Sequence, residues 1–246
     1  MKFSANLGFL WNTLPLPQAI ESAAQCGFDA VECHFPYDTA PAEVLEALEN
    51  SGLRMLGINT VKGASNGLIA MPDEATALES LRQSLDYAQA IDAAAIHCMA
   101  GQAEPGARST QRFVQRLQWA ADQTDRTLLI EPLNTQDAPD YFLNSIHQAA
   151  DILAQVNRDN VRMMFDVYHV QRLHGEVTLS LRDYLPIIGH VQFAGAPDRG
   201  DPRVSELDIG FVLRAAEMAG YTGYFGAEYR SDDPAASLGW MQQFRA

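Results

Sequence analysis

Eight short β-rich runs alternate with amphipathic stretches along the chain, and this alternation restricts the fold more than any other feature. The runs are FSANLGFLW (3–11), AVECHF (30–35), RMLGINTV (54–61), AAIHCMAG (94–101), TLLIEPLN (127–134), VRMMFDVYHV (161–170), HVQFAGAP (190–197) and GYFGAEYR (223–230). Between them lie LPQAIESAAQCG, PAEVLEALENSG, EATALESLRQSLDYAQAI, STQRFVQRLQWAADQ, SIHQAADILAQV and IGFVLRAAEMAG, and PAASLGWMQQF follows the last run. Apolar residues in these segments recur at helical spacing, and several segments end in Gly, which stops a helix by adopting a left-handed conformation. Strand–helix units of roughly 30 residues predict a parallel sheet, and eight of them predict a single α/β domain over 1–246, a (β/α)8 TIM barrel. An open doubly wound sheet shares the alternation but usually carries a phosphate loop after its first strand. Here that position reads FLWNTLPLP, with neither a GxGxxG nor a P-loop lysine.

The bulk numbers fit one domain of this size. At 246 residues and 47% hydrophobic the chain can bury a full core, and no Pro/Gly/Ser-rich or charged linker divides it. A formal charge of −14 and scattered Lys and Arg leave no basic face for phosphates, which argues against nucleic acid as a partner. No stretch approaches a membrane span, and MKFSANLGFLWN reads as a first strand rather than a secretory signal. Cys26, Cys33 and Cys98 have no metal-type spacing and suit a reducing, cytoplasmic setting, with no chemical role.

In a barrel of this kind the active site is assembled at the C-terminal ends of the strands. Run five closes on Glu131, run six carries Asp166, run seven Gln192 and run eight Glu228. One strand-end acid is commonly a helix cap or a salt-bridge member. Three carboxylates and an amide following the apolar runs LLI, MMF, HV and YFGA are a different matter, because carboxylates converging on one mouth repel unless a cation holds them. Oxygen donors without thiolate predict one divalent metal ion, best Mg²⁺ or Mn²⁺ and less well Co²⁺ or Zn²⁺.

The IEPLN, FDVYH, HVQF and AEY segments, in this order and about one βα unit apart, resemble the xylose-isomerase-like barrel superfamily, most closely its hydroxypyruvate isomerase branch. The resemblance runs over essentially the whole chain, including IHCMAG and the PDRGDP loop after run seven. It implies a metal held by Glu131, Asp166, Gln192 and Glu228, with Glu131 and Glu228 as the acid/base pair. It implies also that His169 touches substrate. The related ketose 3-epimerases typically carry histidine as the strand-seven ligand, so Gln192 points to the hydroxypyruvate isomerase branch. The loop PDRGDPRVSELDIG lacks the Gly-Thr-Gly-Glu type of sequence expected there, and the role of Glu206 is open.

Isomerisation of hydroxypyruvate to tartronate semialdehyde removes a C–H proton, passes through an enediolate and returns the proton to the neighbouring carbon. Two carboxylates and a Lewis acid suffice for this. A small anionic hydroxy-keto substrate needs a local cation, for which Arg199 is the first candidate and Lys62 the second, although either could be a solvated loop charge. His97 could hydrogen-bond substrate at the mouth or fill the interior, and the MAG that follows it favours the mouth. Trp11, Phe35 and Tyr168 read as packing. The alternatives are a 2-oxo-tetronate isomerase, a ketose 3-epimerase, an abasic-site endonuclease with a His-rich zinc cluster, and a non-catalytic barrel. Oligomeric state is not legible at this level.

Overall fold

The computed structural model describes residues 1–245. Among them are eight strands, β1 (Phe3–Asn6), β2 (Ala30–Cys33), β3 (Met55–Asn59), β4 (Ala95–His97), β5 (Thr127–Ile130), β6 (Val161–Asp166), β7 (Ile188–Phe193) and β8 (Phe225–Ala227). All neighbours are parallel, and β1 pairs with β8, so the sheet closes into the expected barrel in chain order. The helices are α1 (Leu16–Gln25), α2 (Pro41–Ser51), α3 (Glu74–Ala90), α4 (Ala107–Ala121), α5 (Ile146–Val156), α6 (Val167–Leu173), α7 (Val177–Tyr184), α8 (Ile209–Met218) and α9 (Gly239–Arg245).

Local sequence sets where these elements start and stop. Asp73 caps α3 by accepting the Thr76 N–H at 3.1 Å, and Asp208 caps α8 by accepting the Phe211 N–H at 2.8 Å. Gly52 ends α2 at φ 70°, in the left-handed region that costs glycine nothing. Strand side chains alternate between the two faces of the sheet. Phe3, Val31, Ile58, Ile96, Leu128, Phe165, Val191 and Phe225 join the main buried core, whereas Ala95, Leu129 and Met164 form a separate small cluster. From α9, Trp240 is fully buried and packs edge-on against Phe3 at 5.0 Å and Phe193 at 5.2 Å. Truncating such a side chain to Ala typically costs roughly 3–5 kcal/mol.

The sequence reading overran several strand ends, and at run six this changes the chemistry. The strand stops at Asp166, whose Oδ1 accepts the Tyr168 N–H at 2.8 Å and so caps α6. VYHV, expected as strand, is the first turn of that helix. The connection to β7 consists of α6 and α7, neither of which was marked as helical from sequence.

Candidate active site

Four consecutive strands deliver the four expected oxygen donors. Glu131 immediately follows β5, Asp166 ends β6, Gln192 lies in β7 and Glu228 immediately follows β8. Asp166 is the register partner of Gln192, and the Glu228 N–H donates to the Phe193 carbonyl at 3.0 Å. All four side chains are buried. Two of their oxygens, Glu131 Oε1 and Gln192 Oε1, have no hydrogen-bond partner, an arrangement that is costly unless something electropositive is to meet them.

Arg199, expected on the loop after β7 as a substrate cation, reaches into this cluster. Its Nη2 donates to Glu228 Oε1 at 2.9 Å and approaches Asp166 Oδ2 at 3.4 Å, and its guanidinium lies over the rings of Phe9 at 4.5 Å and Tyr168 at 5.1 Å. Among the described residues its Nη1 makes no hydrogen bond. One guanidinium does not balance three buried carboxylates. Burial, followed by the charges of Glu228 and Asp166, holds Glu131 well above the usual carboxylate range in spite of Arg199. Burial likewise lifts Asp166 to about 7 against the pull of Arg199. Burial opposes ionisation of Glu228 too, but Arg199 and a 3.3 Å contact from His34 Nε2 win and bring it to about 2. The surplus of negative charge and the unpartnered oxygens suit a hard divalent cation.

His169 comes to the cluster by a route the sequence reading did not foresee. Because α6 begins at Val167, Asp166 and His169 are one helical turn apart rather than on opposite faces of a strand. Single atoms from Glu131, Asp166 and His169 lie within 4.8 Å of one another, a spacing open to metal ligation. The tautomer argues against imidazole ligation. Nδ1 of His169 accepts the Asn134 backbone N–H at 3.0 Å, with Asn134 Nδ2 at 2.8 Å, so the ring proton sits on Nε2. Burial, with Arg199 nearby, lowers the imidazole to about 3 and keeps it neutral. Its Nε2–H is 3.8 Å from Glu131 Oε1 and 3.7 Å from Asp166 Oδ2, too long for hydrogen bonds, and is left as a free donor.

His97 is the last residue of β4, with Nδ1 3.6 Å from Glu131 Oε2 and Nε2 unpartnered, which places it beside the cluster. Lys62 is exposed on the loop after β3, 5.8 Å from the Phe35 ring, and among the described residues it makes no ion pair. Glu206 is exposed and accepts a hydrogen bond from Gln171 Nε2 at 3.1 Å. Tyr168, set aside as packing, donates to Asp137 Oδ2 at 2.7 Å and backs Arg199. Glu32, His34 and His190 were passed over in the sequence, although AVEC buries an acid in an apolar run just as TLLIE does.

The family model described as xylose isomerase-like TIM barrel matches residues 20–245, and the chain belongs to that family. A mouse protein that bears the name hydroxypyruvate isomerase provisionally is 38% identical over 99% of this chain and 95% of its own length. A 2-oxo-tetronate isomerase from Cupriavidus necator is 35% identical over 99% of this chain and 98% of its own. The crystal structure of an AP endonuclease, family 2, from Brucella melitensis has a TM-score of 0.94 and 31% identity, covering 100% of this chain and 99% of that one. The resemblance to the hydroxypyruvate isomerase branch is thereby met, and isomerase is the activity for which the first two relatives are named. No helix among the described residues is long and apolar enough to cross a membrane.

Proposed function

We propose that this protein is a divalent-metal-dependent isomerase of a small hydroxy-keto acid, hydroxypyruvate or its one-carbon-longer 2-oxo-tetronate analogue. The observation that carries the reading is the delivery of Glu131, Asp166, Gln192 and Glu228 by adjacent strands to one mouth, with two buried oxygens unpartnered. Both isomerase names among the relatives support it.

Glu131, Asp166, Gln192 and Glu228 would hold the ion, with Mg²⁺ or Mn²⁺ suiting this oxygen-rich set best. When bound, such an ion supplies Lewis-acid stabilisation of negative charge on the substrate oxygens. The chain's own groups perform the proton transfer. Glu131 and Glu228 come from the ends of β5 and β8, three positions apart around the ring, so one can take the proton from the carbon bearing the hydroxyl while the other delivers its own proton to the former carbonyl carbon, the hydroxyl proton passing to the former carbonyl oxygen. The His169 Nε2–H is aimed as a neutral donor at a substrate oxygen, where negative charge grows as the C–H bond breaks. Arg199 offers Nη1 to the substrate carboxylate, and Phe9 and Tyr168 shield the guanidinium from water. Buried, free Cys33 and Cys98 suit a cytoplasmic setting.

The net charge of −14 weighs against a DNA substrate. The deciding assay incubates the protein with Mn²⁺ in D₂O together with hydroxypyruvate, a 2-oxo-tetronate or a ketohexose. Deuterium wash-in together with aldehyde formation from hydroxypyruvate, or with conversion of the 2-oxo-tetronate to its 3-oxo isomer, is the expected result. Exchange with the ketohexose alone would replace the proposal by a 3-epimerase, and no exchange with any substrate would overturn it.

A further inference from the structure

Beneath the candidate ligands, a fourth carboxylate is buried inside the barrel. Glu32 on β2 is 3% exposed, and its donors come from strands on the same side of the ring. Ser4 Oγ from β1 donates to Oε1 at 2.7 Å, Gln192 Nε2 from β7 donates to Oε2 at 2.7 Å, and His190 Nε2 lies 3.2 Å from both oxygens. Strand β8, which lies between β7 and β1, makes room with glycine. A Cβ on Gly226 would collide with Glu32 Oε1 and come within 2.9 Å of Gln192 Cγ. Neither the acid/base pair nor the substrate contacts employ Glu32.

An amide has two ends of opposite character, and only the oxygen end can bind a cation. A carboxylate accepts and does not donate, so Glu32 can pair only with the nitrogen end of Gln192. Held in this way, Gln192 turns its Oε1 away from Glu32, and that atom is the buried one without a partner. We propose that Glu32 is a positioning residue that fixes the amide of Gln192 with its carbonyl oxygen presented to the metal ion. The inference rests on the proposed metal site and assigns the means by which a glutamine serves there. Ser4 and His190 in turn hold the carboxylate of Glu32 in place, so the orientation is built into three strands.

The test is a calorimetric titration of the EDTA-stripped protein with Mn²⁺, performed on wild type, Glu32→Gln and the exchanged pair Glu32→Gln/Gln192→Glu. Glu32→Gln can hydrogen-bond either end of Gln192, so its Mn²⁺ affinity is expected to fall about 10- to 100-fold, the scale of a lost supporting contact to a metal ligand. The exchanged pair restores a donor facing an acceptor and an oxygen facing the ion whichever way it turns, so it should return to within roughly threefold of wild type on the same scale. Circular dichroism of the stripped proteins reports whether the barrel is intact. Should Glu32→Gln fail to fold, Glu32→Asp, which withdraws the carboxylate by one methylene, is titrated in its place with the same expected loss. Wild-type affinity in the single variant would overturn the inference, and so would equal weakness in both variants, the pattern of a merely structural role. Failure of wild type itself to bind Mn²⁺ would instead remove the metal site on which the inference stands.

Discussion

His169 Nε2 lies 3.7 Å from Asp166 Oδ2 because the backbone changes from strand to helix at Asp166. The carboxylate that ends β6 also caps α6, and one turn later the helix returns an imidazole to the same mouth. A strand continued to residue 170 would have sent these two side chains to opposite faces.

On the proposed function, this geometry separates substrate binding at His169 from metal binding at Asp166. His169→Phe should lower kcat/KM by roughly 10- to 100-fold, the value of a lost hydrogen bond to a group gaining charge, while leaving Mn²⁺ affinity within about threefold. Isothermal titration and steady-state kinetics on the same preparation check both halves. A collapse of Mn²⁺ affinity would make His169 a ligand and contradict the assigned tautomer.

Glu131→Gln and Glu228→Gln should each reduce turnover by at least about 100-fold, as expected for a lost general acid or base. Their stabilities should differ in the EDTA-treated protein at pH 8. Burial and neighbouring carboxylates work against ionised Glu131, so Glu131→Gln should raise Tm. Glu228 is held ionised by Arg199, and its replacement strands that guanidinium, so Glu228→Gln should lower Tm. Differential scanning calorimetry distinguishes the two, and near-normal turnover in either variant would remove its catalytic assignment.

Metal removal should destabilise the fold. A ligand present at 100 times its Kd adds about 2.7 kcal/mol, which for a domain of this size corresponds to roughly 5–10 °C in Tm. Melting in EDTA followed by readdition of Mn²⁺ or Mg²⁺ should show this shift reversibly. A Tm indifferent to both would favour a metal-free barrel.

Acidification bears on His97, which burial lowers from 6.5 to about 4 even though Glu228 pulls the other way. Between those values the unfolded chain binds more protons than the folded one, so this residue's contribution to stability falls as pH drops from 6.5 towards 4. Asp166 acts in the opposite sense: raised to about 7, its protonation favours the folded EDTA-treated protein as pH falls below that value. The informative quantity is therefore a difference. The Tm of His97→Gln minus that of wild type, both in EDTA, should rise steadily from pH 7 to pH 4.5, and a flat difference would show that His97 is not held neutral.

The number and order of the strands were legible because each apolar run is bounded by helix-forming or turn-forming residues. Glu131, Asp166, Gln192 and Glu228 were legible because polar side chains in or just after apolar runs stand out from their surroundings. α6 and α7 were not, since VYHVQRL and VTLSLRDY are short and rich in β-branched and aromatic residues, which favour strand until tertiary packing overrides them. Glu32 gave the same signal as Glu131, but within its strand rather than beyond its end, where only the assembled ring shows what it meets. The engagement of Arg199 with Asp166 and Glu228 depends on a loop turn with φ 55° at that residue, which no period in the sequence encodes.

The glycine on β8 has a consequence for anyone who would diversify this scaffold. Because Gly226 leaves space for a carboxylate carried by a different strand, a library that randomises the last strand of the barrel would eject or tilt Glu32 before altering any residue at the mouth. Variation aimed at new substrates is better confined to the surface loops, with the floor beneath them kept constant.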